Sequence, residues 1–296
     1  MNTVRFLAMF ACLLGVIGCH TTQPTLQIQF LPEGEESDWR KTHNEAVSVI
    51  SAVEDSSFAG SFLRVRSSDD QGRPISGRPG ALLLADDKEY INPLLRVAED
   101  NQRFHGLEGA IAFLARPTLL NPTSPGAFAP FDWKFSIRTN RRDHRLRLVF
   151  QTRAHGPGPA PGPRLEMSIA SPGTNAIQLS NRQYVPKLST RSTETFLMNS
   201  NTIYQMAITF KQDSEGWTTM KAFAQANSGT ISTRSKPLIS QRFRIDACRI
   251  DWSEPLVANN QVFGIMSPDP RALSQADYDE LRFYNNVPRK IRAPRK

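Results

Sequence analysis

Acidic residues two positions apart are the first pattern in this sequence that is able to do chemistry. Residues i and i+2 of a strand share one face, and glycosidases place two carboxylates in one groove as acid and as nucleophile or base. The nearest approaches to such a run are Asp277 with Asp279, Asp87 with Glu89, and Glu33 with Glu35. No Glu-x-Asp-x-Glu run occurs, and Asp279 and Glu280 are better suited to hold a strand end by hydrogen bonds. We therefore predict that the chain is not an enzyme.

No other catalytic or metal motif stands in the sequence. It lacks a G-x-S-x-G elbow, a P-loop, an H-E-x-x-H pair and a dinucleotide-binding fingerprint. Trp217 and Tyr184 lie beside polar turns and are candidates for stacking on a sugar ring or, alternatively, for covering the end of a core. No catalytic, cofactor-binding or metal-binding residue is assigned. The scattered histidines are interpreted as surface or turn residues: His43, His105, His144 and His155.

The N-terminus has the pattern of an export signal. Residues 6–18 form an apolar run of thirteen residues after Arg5. A membrane-spanning helix needs roughly 20 residues, whereas this length fits the apolar region of a secretory signal. The run ends in Val16-Ile17-Gly18-Cys19, which resembles the lipobox of bacterial lipoproteins. The alternatives are an ordinary secretory signal with an incidental cysteine and an uncleaved anchor.

The lipobox resemblance implies a domain layout and a location. Residues 1–18 are predicted as a lipoprotein signal peptide, Cys19 as the lipidation site, and residues 19–40 as a polar, lipidated tether. Several acyl chains on one residue anchor a soluble body stably, whereas a single chain binds only marginally. We therefore predict a protein of the bacterial cell envelope, attached to a membrane by its lipid and facing away from the cytoplasm.

Charge and cysteine content narrow the class of partner. The formal net charge is +8, and residues 288–296 alone contain five basic residues and no acid. We predict a disordered basic tail there, with contact to anionic lipid or polyanions as the alternative. The rest of the chain is close to neutral, which argues against nucleic acid as a partner. Cys12 would leave with the signal, and Cys248 is interpreted as a small buried side chain.

The body is assigned to residues 41–287, and from about residue 58 onward it has the period of β-strands. Apolar and polar residues alternate in FDWKFSIR (131–138), RLRLVFQTR (145–153) and YQMAITF (204–210), so each strand is expected to have one buried and one solvated face. Turn-forming residues separate such segments. The pattern predicts an all-β, two-sheet antiparallel sandwich. Residues 41–57 fit a helix or a strand, and the Pro/Gly-rich stretch 155–163 is expected to be an exposed loop.

The segment YDELRFYN, residues 278–285, resembles the closing strand of laminin G-like domains in the concanavalin A-like lectin/glucanase superfamily. That strand often has an acidic pair, an apolar residue, a basic or polar residue, an aromatic residue and then Tyr-Asn, an order that residues 279–285 supply. Weaker similarities lie at residues 107–117 and 203–225, so the resemblance covers about residues 58–287. The early-strand Trp of the family is replaced, with Phe113 as the nearest aromatic, and the usual Asn-Gly is missing.

This resemblance implies a concanavalin A-like jelly-roll that recognises glycans or proteins. Some relatives bind calcium through loop carboxylates, for which Asp269, Asp277 and Asp279 are the candidates here; no other cofactor is implied. We predict a lipid-anchored envelope protein with a non-catalytic laminin G-like domain that binds a glycan or an envelope protein. The alternatives are a structural or assembly lipoprotein without a small-molecule site and a divergent polysaccharide hydrolase.

Overall fold

The computed structural model of the chain is an all-β protein. It describes residues 23–28, 30, 39–41, 47–50, 58, 60–66, 71, 73, 81–83, 94–97, 104–119, 131–138, 143–155, 162–170, 177–179, 184–185, 187–192, 198–227, 229–245, 261–263 and 275–293. Within these residues every regular element is a strand. None of them belongs to a helix that has the length and apolar character needed to cross a bilayer.

The strands range from two to thirteen residues in length. Their bounds are β1 Leu26–Ile28, β2 Trp39–Lys41, β3 Val47–Ile50, β4 Phe62–Arg66, β5 Ala81–Leu83, β6 Leu95–Val97, β7 Phe104–Leu107, β8 Gly109–Leu119, β9 Phe131–Arg138, β10 Asp143–His155, β11 Gly162–Ala170, β12 Ile177–Leu179, β13 Tyr184–Val185, β14 Lys187–Arg191, β15 Tyr204–Gln212, β16 Thr218–Ala226, β17 Ile231–Ser232, β18 Ile239–Ile245, β19 Gln261–Phe263, β20 Gln275–Tyr284 and β21 Lys290–Ile291.

Most of these strands belong to two large antiparallel sheets. The back sheet has ten strands in the order β13-β12-β18-β16-β15-β8-β20-β4-β3, with β1 added beside the second half of β20. The front sheet has seven strands in the order β14-β11-β10-β9-β19-β5-β2. Two further pairs, β17 with β21 and β6 with β7, stand apart from these sheets. The predicted all-β, two-sheet antiparallel sandwich of the jelly-roll type is confirmed.

The apolar core lies between the back and front sheets. Alternate residues of the central back-sheet strands supply its larger side chains, because residues i and i+2 of a strand share a face. The front sheet contributes Met167 and Leu188, both of which are buried. The fully buried core residues of the central back strands include Ile111, Met206, Ile208, Phe210, Met220 and Phe283.

The central strands β8, β15 and β20 are buried on both faces, which differs from the predicted alternation of one buried and one solvated face. Small residues on the outer face of the back sheet, including Ala110, Ala112 and Ala207, leave space for a second apolar layer. Ile231 of β17 and Ile291 of β21 fill that space. The short β17–β21 pair therefore covers the outer face of the back sheet at its centre.

Two segments that the sequence analysis placed outside the sandwich are in part ordered strands. Leu26 of β1, which lies within the predicted tether, pairs with Phe283 of β20. Ile291, within the predicted disordered tail, is fully buried, while its basic neighbours Lys290 and Arg292 are exposed. One apolar residue between charged ones is enough to dock this segment, because the second apolar layer has a place for it. Cys19, Cys248 and residues 156–161 lie outside the described residues, and β10 and β11 flank the last of these.

Candidate functional site

Asp277, a candidate in the sequence analysis, is the centre of a buried ion cluster. Its carboxylate accepts two hydrogen bonds from Arg64, of 2.7 Å from Nε and 3.0 Å from Nη2. Arg116 donates to the same carboxylate from Nε at 3.0 Å. The Arg116 guanidinium also lies over the ring of Phe58, at 4.9 Å from the centroid, and over that of Phe62. Both oxygens of Asp277 are therefore used for structure.

Asp279 and Glu280 form a β-bulge in the middle of β20 rather than a strand end. The pairing of β20 with β8 shifts register between Asp279 and Arg282, and Glu280 has a positive φ of 57°. The Asp279 carboxylate accepts a 2.8 Å hydrogen bond from the backbone N–H of Glu280, and Glu280 accepts a 2.7 Å bond from Gln27 of β1. The expectation that these acids fix the strand by hydrogen bonds is met, with the bulge as the place.

Neither Asp277 nor Asp279, two of the three calcium candidates, is suited to hold calcium, which needs six to eight oxygen ligands. The Asp277 oxygens are occupied by Arg64 and Arg116. Burial, reinforced by the neighbouring Glu280 carboxylate, raises the pKa of Asp279 to about 7, so this group is partly protonated at neutral pH. In the described ranges no three carboxylate, histidine or cysteine side chains come together as metal ligands. Asp269, the third calcium candidate, lies outside those ranges.

Trp217, a candidate for stacking on a sugar ring, already has a cationic partner. The guanidinium of Arg242 lies over its ring at 5.0 Å from the centroid. Arg242 is held there by Asp213 at 2.6 Å and by Glu215 at 3.6 Å. Arginine over an indole face is a favourable cation–π contact. One face of the Trp217 ring is therefore covered by the protein itself, and one arginine is shared by two acids at this end of the back sheet.

A groove of about 650 Å³ lies on the outer face of the back sheet, where β15 ends and β16 begins. We call it the back groove. Four cations line it: Lys211, Lys221, Arg234 and Arg289. Its remaining lining is formed by three threonines (Thr209, Thr219 and Thr233), by Glu108 and by Val287. The groove therefore combines positive charge with hydroxyl groups and has one apolar lining residue.

The β15–β16 hairpin positions the floor of the back groove. Thr209 is paired in register with Lys221, and Lys211 with Thr219, so all four share the outer face. The turn between the strands is closed by Asp213, whose side chain accepts hydrogen bonds from the backbone N–H groups of Glu215 at 3.0 Å and Trp217 at 2.9 Å. This side-chain acceptor holds a tight turn in which Gly216 has a positive φ of 80°. The hairpin fixes the spacing of the two lysines.

The C-terminal segment and the β17 turn form the wall of the back groove. The hydroxyl of Thr233 donates to the carbonyl of Pro288 at 2.7 Å, and the Thr233 N–H donates to the carbonyl of Arg289 at 3.2 Å. Gln205 donates from Nε2 to the carbonyl of Ile291 at 3.2 Å. These bonds, together with burial of Ile291, place Arg234 and Arg289 beside the lysines of the floor.

The back groove has an excess of positive charge among its described lining residues. In the described part of the chain, none of its four cations belongs to an ion pair. Glu108 is its single acidic lining residue. Cations that converge on one cavity without carboxylate partners repel one another, and an anionic ligand relieves that repulsion. The electrostatics of the back groove therefore favour an anion.

The front sheet presents a second candidate surface, which is defined by strand register. Met167 of β11 and Leu188 of β14 are buried, and Met167 is paired with Phe150 of β10 and Thr190 of β14. Residues paired across strands share a face, and successive residues lie on opposite faces. The positions that alternate with Met167, Leu188 and their register partners therefore belong to the outer face of the front sheet.

That outer face, which we call the basic face, is rich in positive charge. Its positions in β9, β10, β11 and β14 include eight basic residues and three acidic ones. The basic residues are Lys134, Arg138, Arg145, Arg147, Arg153, Arg164, Lys187 and Arg191. The acidic residues are Asp132, Asp143 and Glu166. Arg147 is paired with Lys134, and Arg153 with Arg164. Opposite charges are paired as well, Arg138 with Asp143 and Arg191 with Glu166. The eight basic positions nevertheless outnumber the three acidic ones, so the basic face has an excess of positive charge.

Neither surface was identified as a site from the sequence, and the two differ in what signal was present. The alternation of arginine with apolar residues in residues 145–153 is visible in the sequence and was used there to predict a strand. The same alternation also predicts that the arginines form a row on the face of the strand opposite its apolar residues. The back groove has no such signal, because its residues come from separate segments, at 108, 209–221, 233–234 and 287–289, that only the topology brings together. Tyr184 lies in β13, and His105, His144 and His155 lie in β7 and β10.

The chain is similar in fold to solved structures of polysaccharide-degrading enzymes. The endo-beta-1,4-glucuronan lyase of the fungus Trichoderma reesei is 12% identical, with a TM-score of 0.48 over 88% of this chain and 95% of that one. The alginate lyase of Aplysia kurodai is 9% identical, with a TM-score of 0.44 over 88% of this chain and 98% of that one. The beta-porphyranase of Bacteroides plebeius is 8% identical, with a TM-score of 0.27 over 86% of this chain and 94% of that one. No protein family and no curated protein matches the sequence.

These structures overturn the prediction that the chain is not an enzyme. That prediction was wrong because it depended on a missing run of alternating carboxylates, which is only one way to position the carboxylate pair of a glycoside hydrolase. Two of the three structures are named as lyases, whose chemistry differs from glycoside hydrolysis. A search for paired carboxylates does not test that chemistry. At these identities the likeness concerns the jelly-roll fold alone. The resemblance to laminin G-like domains is likewise supported at the level of the fold only.

Proposed function

We propose that this chain is a lipid-anchored protein of the bacterial envelope whose jelly-roll domain binds an anionic polysaccharide along its basic face. The observation that carries the proposal is the register of β9, β10, β11 and β14, which assigns eight basic and three acidic residues to one face. A carboxylated or sulfated glycan chain carries one charge on many successive sugars. Such a ligand neutralises a row of cations that no single small anion spans.

The shape of the front sheet suits an extended polymer. β10 has thirteen residues, and a strand advances roughly 3.4 Å per residue. Its basic positions are spread along most of that length and continue onto β9 and β11 through the cross-strand pairs. Nucleic acid is also a polyanion, but binding of single strands relies on aromatic platforms. None of the assigned basic-face positions in these strands is Phe, Tyr or Trp.

Cys19 is the proposed point of attachment to the membrane. Gly18, directly before it, is small, as access of a lipoprotein signal peptidase to the bond requires, and the thiol of Cys19 is the group that would accept the lipid. Mass spectrometry of the purified full chain tests this part independently of any ligand. A chain that begins at Cys19 and carries acyl groups supports the anchor. A chain that begins with Met1 or carries an unmodified Cys19 contradicts it.

The ligand is tested by measuring binding of the full chain, in detergent, to alginate and to glucuronan, with neutral dextran and single-stranded DNA for comparison. We expect binding to the acidic glycans that weakens as salt is added, because screening acts on exposed charges. The double change Arg145→Glu with Arg147→Glu is expected to reduce affinity about tenfold or more, the effect of losing ~1.4 kcal/mol. The same samples report lyase activity through the ultraviolet absorbance of an unsaturated sugar product.

The matched control is Arg234→Glu, which reverses a charge in the back groove on the other sheet. It is expected to leave glycan affinity unchanged. Equal loss in both variants means that net charge and not the basic face binds the polymer, and contradicts the proposal. Tighter binding to DNA than to either acidic glycan contradicts it as well.

A further inference from the structure

We infer that the back groove binds the phosphate-bearing headgroups of an anionic lipid bilayer, namely the bilayer in which Cys19 is anchored. The inference rests on the proposed acylation of Cys19. It concerns the opposite sheet from the proposed glycan site and a different ligand. Its basis is the position of the groove relative to the N-terminal end of the described chain, together with the charge of that end.

The N-terminal strand leaves the sandwich at the same end as the back groove. β1 is antiparallel to β20, with Leu26 opposite Phe283. The N–H of Thr25 donates to the carbonyl of Phe283 at 2.7 Å, and the N–H of Asn285 donates to the hydroxyl of Thr25 at 3.0 Å. Val287, two residues after Asn285, lines the groove. The chain that precedes Thr25 therefore runs toward the end of the back sheet that contains the groove.

The reach from Cys19 to this point is short. The sequence analysis assigned residues 19–40 to the tether, but β1 begins at Leu26. Four peptide units separate Cys19 from Gln23, the first described residue, and such a segment spans at most about 14 Å when fully extended. A lipid on Cys19 thus keeps this end of the back sheet close to the headgroups. A tether of the predicted length would leave the orientation of the domain undetermined.

The charge of this end complements an anionic membrane. Beside the four cations of the groove, Lys290 and Arg292 are exposed on the segment that forms its wall. The acids of the neighbouring turn, Asp213 and Glu215, share Arg242, so that turn keeps one negative charge, and Glu108 adds one more inside the groove. Six cations against these two charges leave this end of the sheet positive. Basic residues close to an anionic leaflet each contribute about fivefold to membrane affinity, and their effect falls off within a Debye length. A groove that is held at the surface by its tether is within that range.

Amide hydrogen exchange of the acylated full chain in lipid vesicles tests the inference. Vesicles of phosphatidylcholine alone are compared with vesicles that also contain phosphatidylglycerol. We expect exchange in residues 209–221 and 287–291 to slow severalfold with the anionic lipid only. The double change Lys221→Glu with Arg289→Glu is expected to abolish the difference. The control Arg73→Glu is expected to retain it, because this exposed residue follows β4, whose last residue pairs with Gln275 at the opposite end of β20.

The outcomes separate this inference from the proposed function. Equal exchange in both vesicle types, or slowing that survives Lys221→Glu with Arg289→Glu, overturns the inference while leaving glycan binding untouched. Slowing by free glycerol phosphate in neutral vesicles at the same phosphate concentration assigns the groove to a soluble phosphate compound and overturns the membrane source. Exchange in β8 and β10 serves as the folding control. Arg145→Glu with Arg147→Glu, which is designed to remove glycan binding, is expected to keep the response to lipid.

Discussion

Arg116 forms an ion pair with Asp277, a carboxylate that is fully buried and that also pairs with Arg64. Removing one member of a buried pair leaves the other charge uncompensated, which costs about 3–5 kcal/mol. We therefore expect Asp277→Asn to lower the free energy of unfolding by about that amount, because Asn is neutral and leaves two guanidinium groups facing each other. Urea denaturation measures the change. Arg73→Ala, an exposed control, is expected to change the free energy by less than about 0.5 kcal/mol, and an equally small effect of Asp277→Asn would contradict this account of the cluster.

Asp279 predicts an unusual dependence of stability on pH. Its pKa is raised from an unfolded-state value of 3.8 to about 7 in the folded chain, chiefly by burial. Between these values the folded state binds a proton that the unfolded state has lost, so the free energy of unfolding contributed by this group falls as pH rises from about 4 to about 7. Above that range the penalty is constant, and below it the penalty is absent.

Asp279→Asn isolates this effect, since Asn keeps an oxygen that accepts the hydrogen bond from the Glu280 N–H. The variant is expected to gain stability relative to the original chain as pH is raised from 4 to 8, by an amount that denaturation at several pH values measures. Burial also raises the pKa of Glu280, which makes the stability of both chains fall as pH rises. A stability difference between the two chains that does not vary with pH would show that Asp279 is ionised in the folded state at all these values.

Gly109 is predicted to tolerate no side chain. Its φ is +120°, and a Cβ at this position would overlap the backbone carbonyl oxygen of Tyr284 in β20. Gly109→Ala is therefore expected to cost about 2 kcal/mol or more, because strain at such a backbone conformation adds to the steric overlap. Thermal unfolding compares it with Gly60→Ala, where a Cβ meets open space and φ is not positive. Equal melting temperatures for the two variants would mean that β8 and β20 are further apart than the structure places them.

Ile291 is predicted to anchor the C-terminal segment. It is fully buried against the outer face of the back sheet with Ala207, Phe223 and Tyr284. Ile291→Ala is expected to lower the free energy of unfolding by about 2–5 kcal/mol, the usual cost of such a cavity. Lys290→Ala changes an exposed neighbour on the same strand and is expected to be close to neutral. A disordered tail, as the composition of residues 288–296 suggested, would make both changes neutral.

The strands were readable from the sequence because each alternates over a local stretch. The segment FDWKFSIR is β9, and YQMAITF lies within β15. Period-two alternation reports the geometry of a single strand, so it needs no information from elsewhere in the chain. The two-sheet antiparallel architecture followed from the number of such segments and from the turns between them.

The second apolar layer could not be read from the sequence, because it depends on contacts between distant segments. Gln205 and Thr209 are polar residues at positions where alternation predicts solvent, yet both are buried. Gln205 is covered by a segment 86 residues later, to which it donates a hydrogen bond at the carbonyl of Ile291. In that segment Ile291 stands alone among basic residues. A single apolar residue carries no periodic signal. The back groove depends on the same packing of the C-terminal segment. The composition of residues 288–296 shows only their basic charge, and it therefore suggested a solvated tail and not the wall of a groove.

The position of β20 has a consequence for how the protein is made. β20 lies between β8 and β4 in the back sheet, although it is formed by residues 275–284 near the end of the chain. A nascent polypeptide that stops before residue 275 has nothing to join those two strands, and both keep an open edge. A premature stop codon before residue 275 would leave two strand edges with unpaired backbone N–H and C=O groups, and such edges promote aggregation.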